Sequence, residues 1–221
     1  MAKIISLVNQ KGGTAKTTTT VNLGAYLAAM GKYVLLIDLD PQANATSGVG
    51  VNRQDTDKTL YHILANQASF EEIIKKTSLF GYDMVPSSAD LAGAVVELIN
   101  DPRREFKLFD VLQNIRTNYD YILIDCPPSL GLLTINGLTA ADSVIIPVQC
   151  EYYALEGLSQ LLKTIQLVKE NLGSDVGVMG ALLTMYDKRN RLAREVVKEV
   201  RLNFPGKVFD ARRDFGARGD G

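Results

Sequence analysis

"IISLVNQKGGTAKTTTTVNLGAYLAAM", residues 4 to 30, runs from an apolar stretch through a loop rich in glycine, lysine and threonine into a helix-like segment. The opening residues are uncharged and mostly aliphatic, which suits a strand buried on both faces. Further on, Leu23, Leu27 and Met30 fall at i, i+4 and i+7 with alanines filling the same side, a helical spacing. A loop of this composition between a strand and a helix has a specific use. Its backbone N–H groups and those of the helix N-terminus converge on phosphate oxygens. Lys16 is placed to neutralise β- and γ-phosphates, and the Thr17 hydroxyl to ligate Mg2+. The usual spacing G-x-x-x-x-G-K-[ST] puts glycine at positions 10 and 15. This chain has Gln10 and Ala15 there, and supplies Gly12 and Gly13 between them.

Outward from this stretch, short aliphatic runs recur: "YVLLID" (33–38), "YILID" (121–125), "SVIIPV" (143–148) and "VGVMGALL" (176–183). Between them, "EFKLFDVLQNIRTN" (105–118) and "LEGLSQLLKTIQLVKENLG" (155–173) read as amphipathic helices, the second ending at Gly173. Strand and helix alternating over most of the length predicts an α/β fold: a doubly wound, mostly parallel sheet with helices on both faces. Asp38 ends one strand, Asp40 follows it by two residues, and Asp125 closes another. That puts all three carboxylates at the C-terminal edge of the sheet, where open α/β sheets bind ligands. A strand-ending aspartate such as Asp38 also serves as a turn residue or helix cap.

Composition narrows the classes. With 46% hydrophobic and 22% charged residues in 221, the chain reads as a globular protein with one large core. His62 is the only histidine, which excludes a multi-histidine metal site; it reads as an ordinary helix residue. Cys126 and Cys150 give no disulfide framework and fit a reduced cytosol. The N-terminal residues read as neither signal peptide nor membrane span. The net charge of −1 is unevenly placed: from Asp187 to Gly221 ten Lys/Arg face six Asp/Glu. A basic segment on an acidic body hints at a polyanion contact, while a solvated charged face is the plainer reading of such a run.

Lys11 gives the loop its character. Lys-Gly-Gly-x-x-Lys-Thr-Thr, residues 11–18, resembles the deviant Walker A motif of the ParA/MinD superfamily of ATPases. The resemblance continues through "VLLIDLDPQANATSGVG" (switch I), "SSADLAGAVVEL" and "YILIDCPPSLGLLTINGL" (Walker B and switch II). "IIPVQCEYYALEGLSQL" is similar to the Soj-like chromosome-partitioning branch, and the likeness covers residues 1 to about 210. It implies a P-loop ATPase with ATP and Mg2+ as cofactors. Residues Lys11, Gly12, Gly13, Thr14, Ala15, Lys16, Thr17 and Thr18 would bind nucleotide, and Thr17, Asp40 and Asp125 would serve the metal. By the same resemblance Asp40 orients the attacking water, and Lys11 reaches across an ATP-sandwich homodimer to the partner's nucleotide. Slow hydrolysis, stimulated by a ParB-like partner, is the implied activity. The location would be cytoplasmic, on the nucleoid. Cys126, beside Asp125, reads as buried packing.

Three departures from Soj-like sequences stand out: Thr14, Ala15 and Ala43 replace the usual Val, Gly and Gly. If position 15 needs φ > 0, alanine costs about 1 kcal/mol or more, which predicts weakened binding.

In "RLAREVVKEVRLNF" (191–204), Arg191, Arg194, Lys198 and Arg201 share about 80° of helix arc at 100° per residue. Leu192, Val196, Val200 and Phe204 lie opposite and are expected to pack on the sheet. Arg189 matches a position that resembles the family's nonspecific DNA-binding arginine. With the helix cations it would form a stripe tracking phosphates of double-stranded DNA. Glu195 and Glu199 flank the stripe.

The ATPase domain is expected to span 1–210. Residues 211–221, "ARRDFGARGDG" from Ala211 on, are expected to form a disordered tail. Soj-like chains continue past the "KVFD" position with an Ile-Pro-Arg segment, a strand and a closing helix. The resemblance therefore implies a shortened C-terminus, lower stability and poor discrimination between ATP and GTP. Two other readings stay open. A MinD-like membrane cycler needs an amphipathic C-terminal helix with several large apolar residues, and the tail has Phe215 alone. A non-hydrolysing regulator would follow from a loop drifted through Ala15 and Ala43.

Overall fold

The computed structural model describes residues 1–52, 56–152 and 154–209. The expected tail, 211–221, lies outside them. Among the described residues the strands are β1 (Lys3–Leu7), β2 (Val34–Asp38), β3 (Lys75–Lys76), β4 (Tyr82–Val85), β5 (Tyr121–Asp125), β6 (Ser143–Gln149), β7 (Gly177–Thr184) and β8 (Val208–Phe209). They form one sheet in the order β3-β4-β2-β5-β1-β6-β7-β8. All neighbouring pairs are parallel except β3, which runs antiparallel to β4 at the edge. Central strands covered on both faces need no polar side, so β2 is buried at every position.

The helices are α1 (Lys16–Ala29), α2 (Asn44–Gly48), α3 (Leu60–Leu64), α4 (Phe70–Ile73), α5 (Leu91–Glu97), α6 (Lys107–Leu112), α7 (Leu132–Ala140), α8 (Ala154–Leu172) and α9 (Arg191–Asn203). Alternation along β2 divides the core. Val34 and Leu36 join Ile5, Leu7, Tyr82 and Leu123 on the α1 face. Leu35 and Ile37 join Ile4, Ile122, Leu161 and Ile165 on the opposite face, which α7 and α8 cover. Gly24 lets α1 sit low on the sheet. A Cβ there would meet the Tyr82 hydroxyl at 2.4 Å, and that hydroxyl donates to the Val21 carbonyl at 3.1 Å.

Two expectations change. The helix read over 105–118 shrinks to α6, preceded by a 3-10 turn at Arg104–Phe106. In α9, Leu192 is 40% exposed, and Ala193 takes its place in the core beside Val196, Val200 and Phe204. The helix therefore turns its buried face about one residue further round than the spacing of large apolar residues suggests. Among the described residues no helix is long and apolar enough to cross a membrane.

Candidate nucleotide site and basic helix

Parallel pairing brings the polar strand ends together. Asp125 sits opposite Leu7 on one side and opposite Asp38 on the other. The loop 8–15 leaves β1 at this edge and is fastened from several directions. Asn9 donates through Nδ2 to the Pro147 carbonyl (2.6 Å) and accepts the Lys11 N–H on Oδ1 (2.9 Å). The Thr184 hydroxyl donates to the Thr14 carbonyl at 3.1 Å. Gly13 takes φ +74°, a turn that glycine adopts freely.

Ala15, the N-cap of α1, is left-handed at φ 66° and ψ 29°, and its carbonyl accepts the Thr19 N–H at 2.9 Å. Ala43, the N-cap of α2, is also left-handed, at φ 52°. Both positions therefore demand the backbone geometry that glycine serves, and both carry alanine. This geometry is part of how each helix begins. The strain is present before any ligand arrives, so it weighs on folding as well.

Lys16 is 6% exposed, and its Nζ donates to the Lys11 carbonyl at 3.0 Å. Burial lowers its pKa, against the opposing pull of Asp125, Cys126 and Asp40. The Thr17 hydroxyl donates to Asp125 Oδ2 at 2.6 Å, and the Thr20 hydroxyl to Oδ1 at 3.1 Å. Burial raises the Asp125 pKa to about 6, while the two threonine hydroxyls and Lys16 hold it down from going further. Asp40 is 8% exposed, and its Oδ1 accepts the Gln42 N–H at 2.9 Å. Lys16, Thr17, Asp40 and Asp125 thus gather at one edge, as the strand ends imply. Gly12, Gly13 and Thr18 line the same loop and helix start and are exposed, whereas Thr14 is buried.

Lys11 is half-exposed and forms an ion pair with Glu151, two residues past the end of β6. Its neighbour Gln10 donates to Gln160 Oε1 at 2.8 Å, on α8. Glu151, Thr20, Thr184 and Gln160 are members of this site that sequence reading did not single out. Except for Thr20, they meet the loop from more than 130 residues away, and no local spacing announces such contacts. Beside the loop, a cavity of about 380 Å3 is lined by Ala15, Thr18, Asn22, Leu182, Met185 and Tyr186 among others. Cys126 is fully buried and burial drives its thiol pKa well up, as expected of packing. His62 lies in α3, where its Nδ1 accepts the Thr59 N–H at 3.1 Å and closes the cap.

The family model described as "AAA domain" matches residues 2–178. The sporulation initiation inhibitor protein Soj of Bacillus subtilis is 56% identical over 209 residues, covering 95% of this chain and 83% of that protein. The chain belongs to the ParA/Soj family of chromosome-partitioning ATPases. The chromosome partitioning protein ParA of Myxococcus xanthus is 52% identical, with 95% of this chain and 74% of the relative covered. Among solved structures, cobyrinic acid a,c-diamide synthase from Mycobacterium smegmatis with bound ADP and magnesium is similar at a TM-score of 0.89 and 38% identity. That match covers 95% of this chain and 85% of the other. A putative plasmid partition protein from Borrelia burgdorferi bound to AMPPNP follows at 0.79 and 27%, covering 94% and 84%.

In this ParA/Soj chain Arg191, Arg194, Lys198 and Arg201 share the face of α9 opposite Ala193, Val196 and Val200, and Arg189 precedes the helix. Arg189, Arg191, Arg194, Lys198 and Arg201 are all exposed. Arg189 forks onto Asp187 (3.0 and 2.8 Å), which holds that carboxyl down to about 2. Arg191 pairs with Glu195 at 2.9 Å, and Arg194 donates to the Lys188 carbonyl at 2.7 Å. These contacts are solvent-exposed and worth little, so a phosphate could displace them at small cost.

Proposed function

We propose that this chain is an ATP-dependent partitioning switch that cycles on DNA in the cytoplasm. One observation carries the reading: a buried ammonium, two threonine hydroxyls and two carboxylates converge at a sheet edge beside a glycine-containing loop. This donor set fits Mg–ATP. Lys16 is a buried cation held by a neutral carbonyl, a placement suited to a polyanion. Thr17 and Asp125 offer hard oxygen donors, one direct and one suited to acting through water, as Mg2+ prefers. When bound, Mg2+ would neutralise charge on the phosphate oxygens. Support also comes from the magnesium, ADP and AMPPNP carried by the two similar structures.

The chain's own groups divide the work. Lys16 neutralises the β/γ region, Thr17 and Asp125 hold the metal, and Asp40 serves the metal and orients the attacking water. Lys11 acts across an ATP-sandwich homodimer, where a cation contributes roughly 10³–10⁵ in rate. To do so it must exchange Glu151 for phosphate. The cavity between α1 and the β7 end takes the nucleoside. The dimer presents Arg189, Arg191, Arg194, Lys198 and Arg201 to DNA backbone without reading bases. A ParB-like partner stimulates slow hydrolysis and release.

Sizing the purified chain with and without Mg–ATP, then adding nonspecific duplex DNA, tests this. The expected result is a dimer that binds DNA only with ATP. A monomer under every nucleotide condition contradicts it.

A further inference from the structure

We propose that Thr46 is a positioning residue for hydrolysis, holding the Asp40 turn through Asp38 and the segment 86–88. The inference rests on the reading above, in which Asp40 acts on the attacking water.

The need for such a residue begins with α2. Its N-cap, Ala43, has no side-chain oxygen to offer the first amides of the helix. Asp38 supplies the acceptor from β2: its Oδ2 takes the Thr46 N–H at 2.8 Å. The same oxygen accepts the Thr46 hydroxyl, also at 2.8 Å. The other carboxylate oxygen accepts the Asp40 N–H at 3.2 Å. One carboxylate therefore fixes both the entrance to α2 and the backbone of Asp40.

Thr46 decides how that carboxylate sits. Having given its single proton to Asp38, its oxygen accepts the Ser87 N–H at 3.1 Å. Both directions of the hydroxyl are used. Asp38, Thr46 and Ser87 are each 0% exposed, so water offers no substitute for either bond. The 86–88 segment is itself anchored: Pro86 O accepts the Leu60 N–H at 2.9 Å, and Ser88 Oγ meets Thr59 Oγ1 at 3.2 Å. Thr46 thus ties the turn bearing Asp40 to a segment pinned against α3. By contrast the Ser87 hydroxyl has no hydrogen-bond partner among the described residues, which makes it a control in the same place.

Thr46→Val keeps the shape of the side chain and deletes both bonds, Thr46→Ser keeps the hydroxyl, and Ser87→Ala keeps the amide. ATP hydrolysis by the full 221-residue chain is measured below the melting temperature of every variant. We expect kcat of Thr46→Val to fall on the order of ten-fold with KM within about two-fold. Thr46→Ser should recover most of it, and Ser87→Ala should match the parent. A kcat for Thr46→Val within about two-fold of the parent, or no rescue by serine, overturns the proposal. If the parent chain hydrolyses no ATP, it is the functional reading that fails. Amide hydrogen exchange then decides the positioning claim by itself. Faster exchange at Asp40 and Ser87 in Thr46→Val, with α1 unchanged, supports it, and unchanged protection at those amides overturns it.

Discussion

Ala15→Gly isolates what the drifted loop costs. The position is left-handed at φ 66° and ψ 29°, where an L side chain crowds the following carbonyl. That crowding costs about 1–2 kcal/mol. Glycine removes it but adds unfolded-state entropy, which returns about 0.4–1 kcal/mol. The net gain lies between about zero and about 1.6 kcal/mol, centred near 0.8, or roughly 2–3 °C in Tm for a domain of this size. Because the geometry is already set by the start of α1, relief of strain should appear in stability and leave nucleotide affinity where it was. Thermal unfolding of parent and variant, followed by ATP titration of each, reads the two effects separately. A Tm that falls would refute the strain argument. An affinity that rises together with Tm would show that the Ala15 methyl also crowds the phosphate.

Asp125→Asn tests the buried carboxylate. A folded pKa raised to about 6, above an unfolded value near 4, favours the protonated form in the folded chain. Its stabilising contribution is therefore full below about pH 4 and is lost as pH rises through about 6. Asparagine escapes that loss, so without nucleotide the variant should be more stable at pH 8, by at most about 3 kcal/mol, and no more stable at pH 4. Equal stabilities at both pH values would refute the burial argument. Asp40→Ala should keep ATP and accumulate dimer, because it removes water positioning and leaves the phosphate cradle; sizing that finds monomer with ATP would count against this. Arg189→Glu with Arg194→Glu should abolish DNA binding without changing ATP affinity. If each of the five cations on both protomers of the dimer meets one phosphate, log K for the parent dimer should fall against log salt with a slope of about −9. Salt-independent binding would contradict the stripe.

The continuous apolar runs made the central sheet legible. "YILID" is β5 residue for residue, and the other four runs match their strands to within a residue at each end. The edges were not legible. β3 is two lysines, β8 is two residues, and β4 carries Asp83 paired with Lys76 and Tyr119, so none shows an apolar run. Gly173 stopped α8 where expected, with φ 64°. At the site, the loop and the strand-ending aspartates could be read from local spacing. The partners of Lys11 and Thr14 could not, because sheet order brings them from just past β6 and from β7. Asp38 joined two readings the sequence left apart: it ends a strand and also caps a helix, five residues before that helix's own N-cap.

Calorimetric titration of Mg–ATP into the parent chain and into Lys16→Ala, side by side, bears most directly on the central claim. Lys16 is the buried cation around which the loop, Asp40 and Asp125 are arranged. The account predicts saturable binding to the parent and none to the variant. Equal affinity in the two would contradict it.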